Sequence, residues 1–317
     1  MGQCLSCSFC THAVRQKISP YSTYNVALKA PRSFKYQHSS YNTHKWIPGD
    51  NINVWLRNLY VDKGFTKWML YNDQVSFEPH EKQPYIDLIS TRNDGHCKGI
   101  VAWNEKTISW LVHSVPDYPQ VFNENYISEI PKSKIIYGQS FAHIYVPYDD
   151  ALIDNIQNQL HIMHANMFIS NCYDEYKEKY KKKEREIKKT ISISKNINHI
   201  AKSKKFNDDI YENYLMKEFC ENNNIDDHCL CQTWIRGHKY DKSNVVKHVK
   251  NVKWTHDDTE YNLNNDHSKW CISQIDDAKW VYIGDINRMT SQKNRGGGGF
   301  IISDDKLHEL FDNMCIK

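Results

Sequence analysis

Two stretches of this chain repeat one another, and the repeat limits the folds open to it more than any other property of the sequence. His96-Cys97-Lys98-Gly99-Ile100-Val101 is followed, after a turn, by Trp110-Leu111-Val112-His113. His267-Ser268-Lys269-Trp270-Cys271-Ile272 is followed by Trp280-Val281-Tyr282-Ile283-Gly284-Asp285-Ile286-Asn287. Each copy reads as H-x-K, a strand, a turn, a second strand opening on Trp, and a polar residue at its end, His113 in one and Asn287 in the other. Such a duplication predicts two pseudo-symmetric halves whose half-sites meet in one active site. The 317 residues have room for two cores of roughly 150 residues each. The expected organisation is an N-terminal tail over 1–20, a first half over 21–150 with H-x-K at 96–98, and a second half over 151–317 with H-x-K at 267–269.

The surrounding pattern is that of mixed α/β sheets. Short apolar and aromatic runs at 24–28, 52–56, 68–71, 99–103, 108–112 and 141–146 are broken by polar turn residues, as strands would be. Between 149 and 166 the apolar positions Leu152, Ile153, Ile156, Leu160 and Met163 follow a helical repeat that packs one face on a sheet. Residues 174–189, dense in Lys and Glu, read as a solvated helix or linker at the seam between halves in preference to a DNA-backbone patch. A second helix is expected over 208–221, and Trp234, Trp254, Trp270 and Trp280 lie in strand-like surroundings.

The chemistry follows from the pattern. Alternation along a strand points the His and Lys of H-x-K to the same face, so one short element offers a titratable imidazole and a fixed cation to one phosphate. Two such elements supply two imidazoles and two ammonium groups, enough for phosphodiester cleavage without a metal or other cofactor. One histidine, neutral, attacks phosphorus and forms a phosphohistidine; the other, protonated, donates to the leaving oxygen. Lys98 and Lys269, helped by His113 and Asn287, stabilise charge on the non-bridging oxygens. Needing one neutral and one charged imidazole places the optimum near or below about pH 6.5.

Charge agrees. The formal net charge of +3 gives little pull on a polyanion at neutral pH, but protonating all 16 histidines brings it to +19. No run of about 20 apolar residues exists, and the first residues lack the basic-then-apolar pattern of a secretory signal. The expectation is a protein kept inside the cell. Met1-Gly2-Gln3-Cys4-Leu5-Ser6 fits the pattern for N-myristoylation of Gly2, with Cys4 as a palmitoyl acceptor, so a membrane tether is expected at this end. The ten cysteines do not form a secreted disulfide framework. Neither Cys4-x2-Cys7-x2-Cys10 nor His228-Cys229-x-Cys231 has the paired spacing of a zinc finger, and no metal site is expected.

The residues around these motifs resemble the deoxyribonuclease II family, of phospholipase D-like fold. The matching segments are Leu70-Tyr71-Asn72-Asp73-Gln74, Gly95 to Gly99, Trp110 to Pro116, Tyr137-Gly138-Gln139-Ser140, Lys205 to Tyr211, Asp266 to Cys271, Gly284 to Arg288 and Arg295 to Gly298, in the family's order across about residues 24–313. The resemblance implies metal-independent cleavage of double-stranded DNA at acid pH, leaving 3′-phosphate and 5′-hydroxyl ends. It implies His96 and His267 as the catalytic pair, Lys98 and Lys269 as phosphate partners, and His113 as a further required histidine; the nucleophile stays open, with a lean to His96. Asn287 is added from the internal repeat. Arg295 to Gly299 would serve either a close approach to a DNA backbone, which glycine permits, or a tight turn. Two disulfides that the resemblance implies lack a partner here: His143 stands where one cysteine is expected, and Ile301 stands near the expected partner of Cys271. Lysosomal residence, usual in the family, is therefore not expected. The competing readings are a phospholipase D-like phosphodiesterase acting on another substrate and a DNA-binding protein without turnover.

Overall fold

The structure, a computed structural model, describes residues 23–74, 95–220, 228–234, 242–257, 259–275 and 277–317. Gly2, Cys4 and the rest of the expected acylation tail lie outside the described residues, as does the Cys4-Cys7-Cys10 cluster.

The first part of the chain builds an eight-stranded sheet. Its strands are β1 (Thr23–Lys29), β2 (Tyr36–Ser40), β3 (Ile47–Gly49), β4 (Lys67–Tyr71), β5 (Gly99–Trp103) and β6 (Thr107–His113). A small ribbon of β7 (Phe122–Asn123) and β8 (Tyr126–Ile127) intervenes before β9 (Gln139–Pro147) and β10 (Met167–Ser170) complete the sheet. The strand order is β10-β4-β5-β6-β9-β1-β2-β3. The run at 52–56 is not a strand. It opens helix α1 (Ile52–Tyr60), because the Asn51 side chain caps the Asn53 N–H and the buried Ile52, Trp55, Leu56 and Tyr60 recur at helical spacing. Helix α2 (Asp150–Met163) follows the expected repeat, capped by Asp149 and ended by His164 in the left-handed conformation (φ 55°).

The second part builds a seven-stranded sheet from β11 (Lys188–Ser194), β12 (Ile197–Lys202), β13 (His228–Gln232), β14 (Val246–His248), β17 (Trp270–Gln274), β18 (Val281–Gly284) and β19 (Gly297–Ile302). Here β15 (Asn251–Lys253), β16 (Glu260–Asn262) and β20 (Cys315–Ile316) form a separate three-stranded sheet. The charge-dense run 174–189 divides into α3 (Tyr173–Tyr180) and the start of β11; the helix expected over 208–221 is a π-type turn at Tyr211–Met216 running into α4 (Lys217–Phe219). Helix α5 (Asp305–Asp312), capped by Asp304, closes the chain.

Read from one side, the second sheet runs β13-β17-β18-β19-β12-β11, and the first runs β4-β5-β6-β9-β1-β2. The four consecutive strands β4-β5-β6-β9 and β13-β17-β18-β19 follow the same order, and β1 and β12 take the same place beside β9 and β19. The outer two strands are reached in opposite order along the chain, since β1 precedes β2 whereas β12 follows β11. The change of sheet falls between Ser170 and Lys188, later than the 150/151 division, because β10 returns to pair with β4.

Alternation along the strands makes three apolar layers. Val101 and Trp110 of the first sheet share a central core with Val281, Ile283 and Phe300 of the second, and Trp110 meets Phe300 edge-on at 4.9 Å. The opposite faces bury Ile100 and Leu111 under α1, and Tyr282 and Ile301 under the π-type turn. Cys271 and Ile301 lie together in this last layer, and every cysteine among the described residues is free. His143 is a buried core histidine bonded to Ser109 Oγ at 2.7 Å.

Candidate active site

Both H-x-K triplets stand immediately before a strand, β5 in the first sheet and β17 in the second. Their lysines are anchored by the following hairpin: the His113 N–H donates to the Lys98 carbonyl (3.2 Å), and the Gly284 N–H to the Lys269 carbonyl (2.9 Å). This pairing sets the true equivalence of the repeat. Gly99 pairs with Val112, and Trp270 with Ile283, so the counterpart of His113 is Gly284 and not Asn287. The repeat read from Trp110 and Trp280 is out of register by one residue, since Trp110 corresponds to Val281.

The halves are cross-wired at their histidines. The His96 N–H donates to the carbonyl of Gly296 in the second half (2.8 Å), and the His267 N–H to the carbonyl of Gly138 in the first (2.9 Å). His96 Nδ1 lies 2.5 Å from the Asp285 carbonyl oxygen, which can only accept, so Nδ1 carries the proton. The Lys269 N–H donates to Ser140 Oγ at 3.1 Å. Helix α2 is wedged into this junction. A Cβ on Gly95 would stand 2.0 Å from the Met163 carbonyl oxygen, and one on Gly296 would stand 2.1 Å from the same atom. A tight turn does not explain the glycine run, since Gly297–Gly299 lie within β19 without positive φ; a Cβ at these positions would meet Ile286, the Ile200 carbonyl and the Ile283 carbonyl.

The two half-sites differ in chemistry. Around His96, Asp73 contacts Lys98 Nζ, approaches Arg295 Nη2 at 3.4 Å, and stands 3.8 Å from His96 Nε2. Burial would raise the Asp73 carboxyl, but Lys98, His96 and Arg295 hold it below the ordinary range. Burial, with Lys98, Lys269 and Arg295, pushes His96 well below 6.5 against the pull of Asp73. His267 instead stacks flat on Tyr137, ring centroids 3.9 Å apart and 8° between planes, with Trp234 at 4.0 Å. Extending the strand pairing, Asp73 follows β4 by two residues and Trp234 follows β13 by two, so a carboxylate and an indole occupy equivalent places.

Lys269 is 2% exposed, and burial together with Lys98 lowers it to about 7. Asp285 is raised by burial to about 7; its Oδ1 accepts from the Gly298 N–H at 2.9 Å. His113 is fully buried beside Tyr118 and Phe141, takes the Val115 N–H on Nδ1 (3.2 Å), and is lowered to about 3 by burial. Asn287 is buried three residues beyond β18, its Oδ1 without a hydrogen-bond partner, and is not bonded to either H-x-K. The structure thus brings His96, Lys98, His267 and Lys269 to one junction, sets His113 behind Lys98, and leaves Asn287 apart. Sequence reasoning gave no site role to Asp73, Tyr137, Asp285 or Trp234, and named Arg295 only with the glycine run. All but Trp234 lie in segments that carried the resemblance, but only the crossovers show which histidine each one meets. No group of three His, Cys, Asp or Glu placed to hold a metal ion occurs among the described residues.

Two sheets that share a four-strand order, each delivering an H-x-K to a common junction, make a phospholipase D-like hydrolase. The sequence profile described as Deoxyribonuclease II matches residues 29–317, and the chain belongs to the deoxyribonuclease II family. It is 29% identical to deoxyribonuclease-2-beta of Rattus norvegicus over 304 residues, covering 89% of this chain and 79% of that one. It is 27% identical to cell-death-related nuclease 7 of Caenorhabditis elegans (86% and 76%) and 27% identical to plancitoxin-1 of Acanthaster planci (78% and 70%).

Proposed function

We propose that this chain is a metal-independent acid endonuclease that hydrolyses double-stranded DNA to 3′-phosphate and 5′-hydroxyl ends. The observation that carries the mechanism is the bond from His96 Nδ1 to the Asp285 carbonyl, which leaves the Nε2 lone pair for phosphorus. Burial and three neighbouring cations favour neutral His96 even in acid. His96 Nε2 bonds to phosphorus as the bond to the 5′ oxygen breaks, and protonated His267 gives that oxygen its proton. Water then attacks the phosphohistidine and hands a proton back to His267, releasing the 3′-phosphate. An imidazolium is attracted to aromatic faces, so Tyr137 and Trp234 suit His267 to the acid role.

Lys98, Lys269 and Arg295 supply positive charge for the non-bridging oxygens. The acid preference has a source beyond the histidines. Below pH 7 Lys269 gains its charge and Asp285 loses its own, so the site becomes more cationic as pH falls. His113 supports Lys98, whose carbonyl accepts the His113 N–H. Acylation of Gly2 and Cys4 would hold the enzyme at a membrane inside the cell, and intact-mass analysis of the cell-derived protein tests this.

The decisive assay incubates purified full-length chain with supercoiled plasmid in excess EDTA from pH 4 to 8, beside His96→Ala and His267→Ala. Nicking by the wild type at acid pH, lost in both variants, is expected. No cleavage at any pH, or cleavage that survives either substitution, overturns the proposal.

A further inference from the structure

Two lysines that the mechanism does not use are fully buried, Lys29 and Lys202, each at 0% exposure. Each is the last residue of its strand, β1 and β12, and these strands hold the same place in the two sheets. Lys29 pairs with Gln139 on β9, and Lys202 with Gly297 on β19. The residues just before those partners are Gly138 and Gly296, whose carbonyls hold the two histidines.

Both ammonium groups donate to backbone carbonyls. Lys29 Nζ reaches the carbonyls of Ala30 (2.6 Å), Ser33 (3.0 Å) and Ile135 (3.0 Å). Lys202 Nζ reaches those of Gln292 (3.4 Å), Lys293 (2.8 Å) and Arg295 (2.5 Å). Three carbonyl dipoles turned on one buried point would repel one another without a cation, so each lysine fixes the path of a loop. The Lys29 loop runs from Ile135 to Tyr137, which stacks on His267, and to Gly138, which accepts the His267 N–H. The Lys202 loop delivers Arg295, which pairs with Asp73 beside His96, and Gly296, which accepts the His96 N–H.

We infer that Lys29 and Lys202 are a symmetric pair of positioning residues, each acting through a loop on the histidine of the opposite half: Lys29 on His267, and Lys202 on His96. The wiring is crossed, because Lys29 lies in the sheet whose strand β5 follows His96, and Lys202 in the sheet whose strand β17 follows His267. Burial lowers Lys29 to about 7, opposed by Asp266, and Lys202 to about 8, opposed by Asp209, Asp285 and Asp208. Both are therefore ammonium ions throughout the acid range in which the proposed reaction runs. The inference deepens the catalytic reading of the two histidines and rests on it for its effect on rate.

The test is a pair of charge-removing substitutions, Lys29→Met and Lys202→Met, in full-length protein labelled at histidine. The imidazole Cε1–Hε1 resonances of His96 and His267 are assigned from His96→Ala and His267→Ala spectra. Lys29→Met should displace the His267 resonance and leave that of His96, and Lys202→Met should do the reverse. On plasmid, kcat should fall on the order of 10- to 100-fold in each, as for a misplaced reacting group, with KM little changed. Where a methionine variant does not fold, Lys29→Gln or Lys202→Gln, which keeps a donor for the carbonyls, reads the same pattern. A lysine that moves the histidine of its own sheet, moves both alike, or moves neither overturns the inference. The spectra need no substrate, so their outcome is independent of whether the chain cuts DNA.

Discussion

Replacing Asp73 by Asn removes one negative charge from among three cations while keeping the shape of the side chain. Lys98 is 2% exposed and contacts the Asp73 carboxylate directly. Without it, Lys98 is left as a buried cation among Arg295 and Lys269, and removing one partner of such a pair costs about 3–5 kcal/mol. In a chain of this size that should lower Tm by roughly 5–8 °C. The sign with pH follows from the direction of the shift. A carboxyl held below its ordinary value contributes stability above about pH 4 and loses it only as pH falls through the lowered value. From Asp73 itself the deficit is the same at pH 5 and pH 7; Lys269 and Asp285, both near 7 and both raised by Asp73, make it larger at pH 5.

A second effect falls on His96. Its Nε2 is 3.8 Å from Asp73, where a unit charge pair is worth about 4 kcal/mol at an effective dielectric near 20. The carboxylate favours the imidazolium, so its loss keeps His96 neutral to lower pH, and the acid limb of kcat/KM should move to lower pH. Scanning fluorimetry at both pH values and plasmid nicking from pH 3 to 7 measure the two effects. An Asp73→Asn protein with wild-type Tm and an unmoved acid limb would refute the account of Asp73 as the counter-charge of this half-site.

Gly296→Ala places a Cβ 2.1 Å from the Met163 carbonyl, so it should cost about 1–3 kcal/mol and abolish most nicking. Gly64→Ala, in open space at φ +67°, should cost about 1 kcal/mol and leave nicking intact; equal losses in both would contradict the wedge. Asp285 is raised by burial to about 7, so its ionisation opposes folding as pH climbs from about 4 to 7, and stability is greatest below that window. Asp285→Asn should flatten the fall of Tm over that range, and parallel Tm curves would argue against the raised value. His113, lowered to about 3, stays neutral from pH 4 to 8, so His113→Gln should reduce activity by one constant factor across that range. A loss confined to one side of the profile would show that His113 titrates there.

Most strands were legible because their apolar runs alternate or fill a buried sheet, as at 99–103 and 108–112. The run at 52–56 misled because five apolar-rich residues fit either period; the Asn51 cap and Tyr60 four residues on settle it as helix. The half-site repeat was legible in His96, Lys98, His267 and Lys269, whose spacing is local. Asn287 was drawn in as a polar residue near the end of the second strand, but it lies three residues beyond Gly284, the register counterpart of His113, and that register is invisible until the β17–β18 pairing is known. The equivalence of Asp73 and Trp234 escaped notice because they are unlike residues at matching places, and a search for repeated letters passes over them.

What the sequence alone determined is the inventory and its pairing: two imidazoles, two ammonium groups, and a duplicated strand pattern that requires two similar sheets. These rest on side-chain type and on periodicity, which are properties of neighbours along the chain. Tertiary structure decided which partner each histidine has. His96 lies 200 residues from Gly296, and His267 lies 129 from Gly138, yet each backbone N–H is held by the other half. Hydrogen bonds of such range depend on how one sheet lands on the other. The burial that follows, and not the identity of any residue, makes one half-site a charged cluster and the other an aromatic clamp.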